Sequence, residues 1–284
     1  MKLHYNRPVV TLQCGDHQLQ YGERTLIMGI LNVTPDSFSD GGQYAHVEAA
    51  VERARQMAAE GADILDVGGE STRPGAAYVD AEEEQRRVLP VIRAIREAGI
   101  QLPISIDTYK AETAEAALRA GATMLNDIWG LQKGERMGEL AVRFGCPIVL
   151  MHNRPEAVYA NFIQDVIEDL KATVVRAHQS GVRDDQIILD PGIGFAKTYA
   201  HNLQLMGELD RICELGYPVL LGTSRKSMIR LTLDASADDV LEGTAATVAL
   251  GIVQGCGIMR VHDVREMRKT AQMTDAIVRR RTCS

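Results

Sequence analysis

Long apolar runs, a basic excess and closely spaced cysteines are all missing from this sequence, and each absence removes a class of protein. No apolar stretch approaches the ~18 residues that span a bilayer. The opening segment MKLHYNRPVV lacks the hydrophobic core of a secretory signal. A cytoplasmic protein is therefore expected. The formal net charge of -7 argues against a surface that tracks a nucleic-acid backbone, so any anion site must be local. Cys14, Cys146, Cys213, Cys256 and Cys283 lie far apart, with no C-x-x-C pair or histidine spacing suited to zinc, and they read as reduced structural thiols. Aromatic residues are sparse at 5%, whereas 45% hydrophobic and 24% charged residues are ordinary for a soluble globular chain. The 284 residues suffice for one domain with a large core, and pattern must decide whether they divide.

That pattern is a repeated strand and helix. An apolar run from Leu26 to Leu31 leads to a helical stretch at about 46–60, which Gly61 stops before ADILDVGG begins. A helix at about 81–98 stops at Gly99 before LPISIDT, and one at about 110–120 stops at Gly121 before ATMLNDI. Helices at about 135–144, 162–180, 201–215 and 238–254 precede CPIVLMH, QIILDPG, YPVLLGT and CGIMRVHD, and a helix at about 264–280 closes the chain. Glycine stops a helix well because it enters the left-handed region without a Cβ clash. Eight strands, each followed by a helix, predict an α/β fold: a parallel (β/α)8 TIM barrel spanning 1–284 as a single domain. An open doubly wound sheet is the alternative, but closure removes the edges it would expose. The first ~25 residues are extra and read as an N-terminal hairpin turning at Gly15-Asp16, capping the bottom of the barrel.

In such a barrel the loops after the strands share one face, where active sites lie. The strand ends supply Asn32, then Glu70 to Gly75, Asp107-Thr108, Asn126-Asp127, Met151 to Arg154, Asp190 to Phe195, Thr223 to Lys226, and Arg260 to Asp263. Caps alone would be served by Ser, Thr, Asp and Asn. Here Arg73, Lys226, Arg260 and His262 stand beside helix N-termini, where a cation opposes the helix dipole. Their convergence makes sense if an anion such as phosphate or pyrophosphate lies between them. Asp107, Asn126 and Asp190 point to a nitrogenous ring, because a carboxylate accepts parallel N–H bonds from an amino-pyrimidine edge and an amide both donates and accepts. Asp190 also reads as a cap for the Pro191-Gly192 turn, and Asp107 as a cap for the next helix. Met151 and Phe195 serve either as apolar walls or as upper-core filling.

The stretch MGILNVTPDSFSDGG, Met28 to Gly42, carries more oxygen-bearing side chains than a connection needs, set around the bare ring of Phe38. Together with DVGGESTRPGA, SIDTYK, LNDIWG, LMHNR, DPGIGF, TSRKS and RVHDV, in this order through all eight units, it resembles the dihydropteroate synthase family. The resemblance implies a transferase of folate biosynthesis that joins a dihydropterin diphosphate to p-aminobenzoate by an SN1-like substitution, and it implies inhibition by sulfonamides. It implies a pterin site of Asp107, Asn126, Met151, Asp190, Gly194, Phe195 and Lys226. The diphosphate would meet Asn32, Thr72, Arg73, Arg260 and His262, with Mg2+ as cofactor and Asn32 as its protein ligand. The p-aminobenzoate would meet Phe38, Pro74, Phe195 and Ser227. Asp107, Arg73 and Lys226 would carry the catalysis, and Val33 to Gly42 and Ser71 to Gly75 would form two lids. A homodimer through the late helices, small-molecule substrates, and neither nucleic acid nor membrane as partner complete the implied picture. A pterin-binding methyltransferase would need the pterin-reading residues but neither STRPG nor SRK. A non-catalytic pterin-binding paralogue would be expected to lose Asn32, Arg73 or Lys226. All are present. The residues alone also leave a mononucleotide or sugar-phosphate barrel enzyme open.

Overall fold

The computed structural model describes residues 9–33, 42–71, 77–236 and 238–279. Strands β1 (Val10–Cys14) and β2 (His17–Tyr21) form the expected antiparallel hairpin about Gly15-Asp16, with Cys14 opposite His17. The eight strands that follow are β3 (Leu26–Asn32), β4 (Ile64–Gly68), β5 (Ile104–Asp107), β6 (Met124–Asp127), β7 (Ile148–Met151), β8 (Ile187–Asp190), β9 (Leu220–Leu221) and β10 (Ile258–Val261). They pair in parallel in the order β8-β7-β6-β5-β4-β3-β10-β9. A parallel bridge from Leu189 to Val219, with Leu189 N–H donating to Pro218 O at 2.8 Å, joins the two ends of this order and closes the ring. The (β/α)8 barrel is the observed architecture.

The helices are α1 (Gly42–Glu60), α2 (Ala81–Glu97), α3 (Ala111–Ala120), α4 (Arg136–Phe144), α5 (Phe162–Gln179), α6 (Tyr199–Gly207), α7 (Leu209–Cys213), α8 (Ser227–Leu233), α9 (Leu241–Gln254) and α10 (Val264–Arg279). Most fall where periodicity put them, and Gly121 closes α3 at φ 117 as a left-handed cap. Two differ. The single helix expected at about 201–215 breaks at Glu208, because buried Gln254 from α9 supplies partners for the backbone groups the break frees: Leu209 N–H donates to its Oε1 at 3.0 Å, and its Nε2 donates to Met206 O at 2.7 Å. Helix α8 follows the TSRKS stretch, which read only as a loop, and α9 starts at Leu241 rather than at about 238.

Period-two alternation divides the core. Leu65, Val67, Ile104, Ile106, Leu125, Ile148, Leu150, Ile187 and Leu189 face outward to the helices in one large apolar cluster. Met28, Ile64, Met124, Val149, Ile188, Leu220 and Ile258 face inward at the bottom of the barrel, where Leu12, Cys14 and Tyr21 of the hairpin join them. Tyr21 is 2% exposed; its hydroxyl donates to Gly255 O and accepts from Val219 N–H, each at 3.2 Å. The hairpin therefore caps the barrel floor, as the sequence predicted, and ties it to the strands around it.

Candidate active site

The alternation that seats apolar residues at the floor brings polar ones inward two positions later. Asp66 on β4 follows Ile64, Asn126 on β6 follows Met124, and Asp190 on β8 follows Ile188. Arg260 on β10 follows Ile258, and Asp107 at the end of β5 is paired in register with Asn126 and Gly68. These ends open on a cavity lined by Asp107, Asn126, Ile128, Met151, Asp190, Ile193, Phe195, Gly222, Lys226 and Arg260. Seven of the residues singled out from sequence, contributed by five strands and two loops, thus share one mouth.

Arg260 is at the centre of it, and its charge is already answered. The guanidinium donates from Nε to Asp66 Oδ2 at 2.6 Å and from an Nη to Asp107 Oδ2 at 2.7 Å. Asn126 Nδ2 donates to the same Asp66 carboxylate at 3.2 Å. Arg260 thus bridges two carboxylates and is held in one geometry by them. Asp66, which is 0% exposed, was missed in the sequence because it sits inside the run ADILDVGG. Burial pushes the Asp107 carboxyl up to about 7, with Asp66 and Glu84 adding and Arg260 and Lys226 opposing. Burial also raises Asp190, against its bond from Gly192 N–H at 2.7 Å and the nearby charges of Lys226, Arg260 and Lys197. That bond is the predicted cap of the Pro191-Gly192 turn. It occupies Oδ1, and Asp190 also lines the cavity.

The loop after β8 is built to fit tightly. Gly192 has φ 71, and a Cβ there would run into the carbonyl of His152. Gly194 N–H donates to Asn202 Oδ1 at 2.7 Å, and the Gly194 backbone lies against the aliphatic stem of Lys226. The Lys226 ammonium stands 4.2 Å from the centroid of the Phe195 ring. Below the loop, Lys197 Nζ reaches Gly192 O at 2.9 Å, Phe195 O at 3.0 Å and His152 Nδ1 at 2.9 Å.

The other predicted residues are distributed around this mouth. Asn32 ends β3 opposite Gly68, half-buried. His262 lies just past β10, its Nδ1 3.0 Å from Ser224 Oγ, and Ser227 is exposed at the start of α8. Phe38, Thr72, Arg73 and Pro74 lie outside the described residues, as do most of the two expected lids. The second lid is flanked by a described anchor: Glu70 accepts from Val79 N–H at 3.1 Å and from Lys110 Nζ at 2.5 Å, and Lys110 also reaches Glu84. Asp127, beside Asn126 in sequence, faces the other way and accepts from the amides of Trp129 at 2.9 Å and Leu131 at 2.7 Å. Among the described residues no group of three or more His, Cys, Asp or Glu side chains could hold a metal ion.

A barrel mouth with two buried acids and an amide facing inward, a bridging arginine and a lysine over an aromatic ring defines a site for a flat, nitrogen-rich heterocycle with an anionic tail. Comparison with known proteins narrows this class. Residues 28–262 match the family model for pterin binding enzymes. Dihydropteroate synthase of Clostridium beijerinckii is 53% identical over 270 residues, covering 95% of this chain and 100% of that protein. The crystal structure of dihydropteroate synthase from Clostridium difficile in the presence of pteroic acid superimposes with a TM-score of 0.89 at 48% identity, covering 91% of this chain and 98% of that one. The Xanthomonas albilineans enzyme with 4-aminobenzoic acid does so with a TM-score of 0.90 at 42% identity, covering 95% and 98%. The chain belongs to the pterin-binding enzyme family and, within it, to the dihydropteroate synthases, which are transferases.

Proposed function

We propose that this chain condenses 6-hydroxymethyl-7,8-dihydropterin diphosphate with p-aminobenzoate, giving 7,8-dihydropteroate and diphosphate. The observation that carries the reading is the single cavity that gathers Asp107, Asn126, Asp190, Lys226 and Arg260 at the barrel mouth. Asp190 accepts from the amino-pyrimidine edge of the pterin, and Asn126 and Asp107 meet other ring nitrogens. Met151, Gly194 and Phe195 wall the ring, and Lys226 covers one of its faces. The diphosphate binds Asn32, Thr72, Arg73, Arg260 and His262. The p-aminobenzoate stacks among Phe38, Pro74, Phe195 and Ser227.

In the reaction the carbon–oxygen bond to diphosphate breaks with both electrons leaving on oxygen, and Arg73 and Arg260 stabilise the charge that develops there. The pterin methylene is left cationic, and the ionised carboxylate of Asp107 stabilises it. The neutral arylamine nitrogen then forms the new carbon–nitrogen bond and sheds its proton afterwards, so no strong general base is required. The lids exclude water, which would otherwise capture the cation. The donor chemistry suits a magnesium ion: Asn32 would offer one amide oxygen at the mouth, and among the described residues no acidic cluster would enclose the ion, which matches one that keeps its waters and binds substrate phosphates. Such an ion would supply charge neutralisation at the leaving group.

The protein works in the cytoplasm as a homodimer. Support for the dimer comes from the exposed apolar side chains of Leu203 on α6, Leu231 and Leu233 on α8, and Leu241 on α9. No helix among the described residues is long and apolar enough to cross a membrane. Purified protein mixed with Mg2+, the dihydropterin diphosphate and p-aminobenzoate is expected to yield dihydropteroate and free diphosphate, and formation of neither refutes the assignment. Lys226→Ala and Arg73→Ala are expected to keep the melting temperature while lowering turnover by about 100-fold or more. Unchanged activity in both refutes their roles.

A further inference from the structure

The loop that carries Ile193, Gly194 and Phe195 into the cavity is tied to Asp190, to Asn202 and, through Ala196 O, to the Tyr159 hydroxyl at 2.8 Å, and its two carbonyls that face away from the cavity-lining residues are held separately. Its backbone turns through left-handed positions at Gly192, Gly194 and Ala196. Beneath it lies a polar cluster drawn from two other parts of the fold, α5 and the loop after β7. Asp169 on α5 accepts from His152 Nε2 at 3.0 Å and from Arg154 Nε at 2.6 Å. Because a carboxylate only accepts, His152 Nε2 carries the ring proton, and Nδ1 is left as an acceptor. Lys197 Nζ lies 2.9 Å from that Nδ1, 2.9 Å from Gly192 O and 3.0 Å from Phe195 O. An ammonium has three hydrogens, and here are three acceptors. Two are the carbonyls that bracket Ile193 and Gly194; the third is a ring 2% exposed and fixed from behind by Asp169.

We propose that Lys197 is a positioning residue for p-aminobenzoate: by holding the carbonyls of Gly192 and Phe195, it sets the loop that presents the Phe195 ring. The assignment of Phe195 to that substrate rests on the function proposed above; the restraint on the loop does not. Loss of one ammonium hydrogen leaves two donors for three acceptors. The His152 ring cannot compensate by moving its proton to Nδ1 without turning a bare nitrogen toward Asp169. The three-bond clamp then loses one member, and the amine turns its lone pair toward the acceptor it no longer serves. Burial pulls the Lys197 ammonium down to about 7, with Lys226 and Arg154 adding and Asp190 and Asp169 opposing. Burial holds His152 down at about 4, with Lys197 and Arg154 adding and Asp169 opposing, so His152 stays neutral throughout the working range. Deprotonation of Lys197 above neutrality is expected to weaken p-aminobenzoate binding rather than the chemical step.

The full chain and its Lys197→Met variant test this in two ways. Without substrate, hydrogen exchange of the Gly194 and Phe195 amides, which donate to Asn202 Oδ1 and Gly192 O, is expected to be about tenfold faster in the variant, while α6 is unchanged. Equal exchange overturns the proposal. In steady state, the KM for p-aminobenzoate is expected to rise about tenfold in the variant with kcat changed less than threefold. The wild-type KM is expected to climb as pH passes from 6.5 to 8.5, and the variant's to stay flat. A fall in kcat at constant KM, or a variant that keeps the wild-type pH dependence, overturns it. Should the variant fail to fold, wild-type exchange at pH 6 and pH 8.5, corrected for intrinsic rate, reads the same bond. Selective loss of protection at Gly194 and Phe195 supports the clamp, and an unchanged ratio to α6 overturns it. A chain that makes no dihydropteroate at all would refute the proposed function and leave the exchange result standing.

Discussion

Replacing Arg260 with methionine removes a guanidinium that two buried carboxylates share. Asp66 is 0% exposed, and the Asp107 side chain is 12% exposed. Each accepts one charge-assisted bond from Arg260, at 2.6 Å and 2.7 Å. Methionine fills much of the same volume, so the cavity term is small and the cost lies in two acids left facing one another in a medium that solvates them poorly. Breaking a buried ion pair from one side costs about 3–5 kcal/mol. A chain of 284 residues unfolds with an entropy near 0.6 kcal/mol per kelvin, so this loss lowers the melting temperature by about 5–8 °C. The loss depends on pH in a defined direction. Asp107 has a folded value raised to about 7 from an ordinary 3.8, so its contribution to stability is fully present below 3.8 and falls as pH rises through 7. Without Arg260 the carboxyl is raised further, and the variant suffers most at pH 8 and least at pH 5, where protonation relieves the repulsion. Differential scanning calorimetry of both proteins at the two pH values measures this. A shift under about 1 °C at pH 8, or a shift as large at pH 5 as at pH 8, refutes the argument that Arg260 is held by paired, ionised acids.

Tyr21→Phe leaves a buried N–H at Val219 and a carbonyl at Gly255 short of the partner they share, at about 1–3 kcal/mol. Calorimetry should show a loss of about 2–5 °C, with turnover within twofold of wild type because the change is at the opposite end of the barrel. In the proposed mechanism ionised Asp107 stabilises the cationic pterin, so kcat/KM for the pterin diphosphate is expected to rise between pH 6 and pH 8, as the carboxyl at about 7 loses its proton. Asp107→Asn is expected to leave a small residual activity without this limb, and a wild-type profile that falls over the same range contradicts the role.

Periodicity was enough to lay out the barrel, because parallel strands buried on both faces read as short apolar runs and glycines mark where helices hand over to them. The same period of two also places an acid inside the barrel. Asp66 lies two residues after Ile64 and two before Gly68, so whatever faces the barrel interior at Ile64 places that carboxylate inside as well. A lone acid on the inner face of an apolar strand calls for a partner, and the arginine that answers it is 194 positions away. Spacing cannot name such a partner. The Lys197–His152 contact spans 45 positions and depends on how two loops fold over each other, which no local pattern encodes. The break between α6 and α7 was hidden for a related reason: Gln254 permits it from a different helix. Strand ends were legible because topology assigns them all to one rim, whereas their pairings required the register and twist of the closed sheet.

With the hairpin plugging the floor of the barrel, the described residues leave the mouth at the strand ends as the way in. Both reactants must come in, and both products go out, by the same route. In the proposed function the pterin ring is seated among inward-facing strand residues and the aminobenzoate among the loops above them, and that arrangement predicts that the pterin arrives first and does not depart while its partner remains. Traffic through a dead-end passage thus imposes a sequence of binding that no individual contact would dictate.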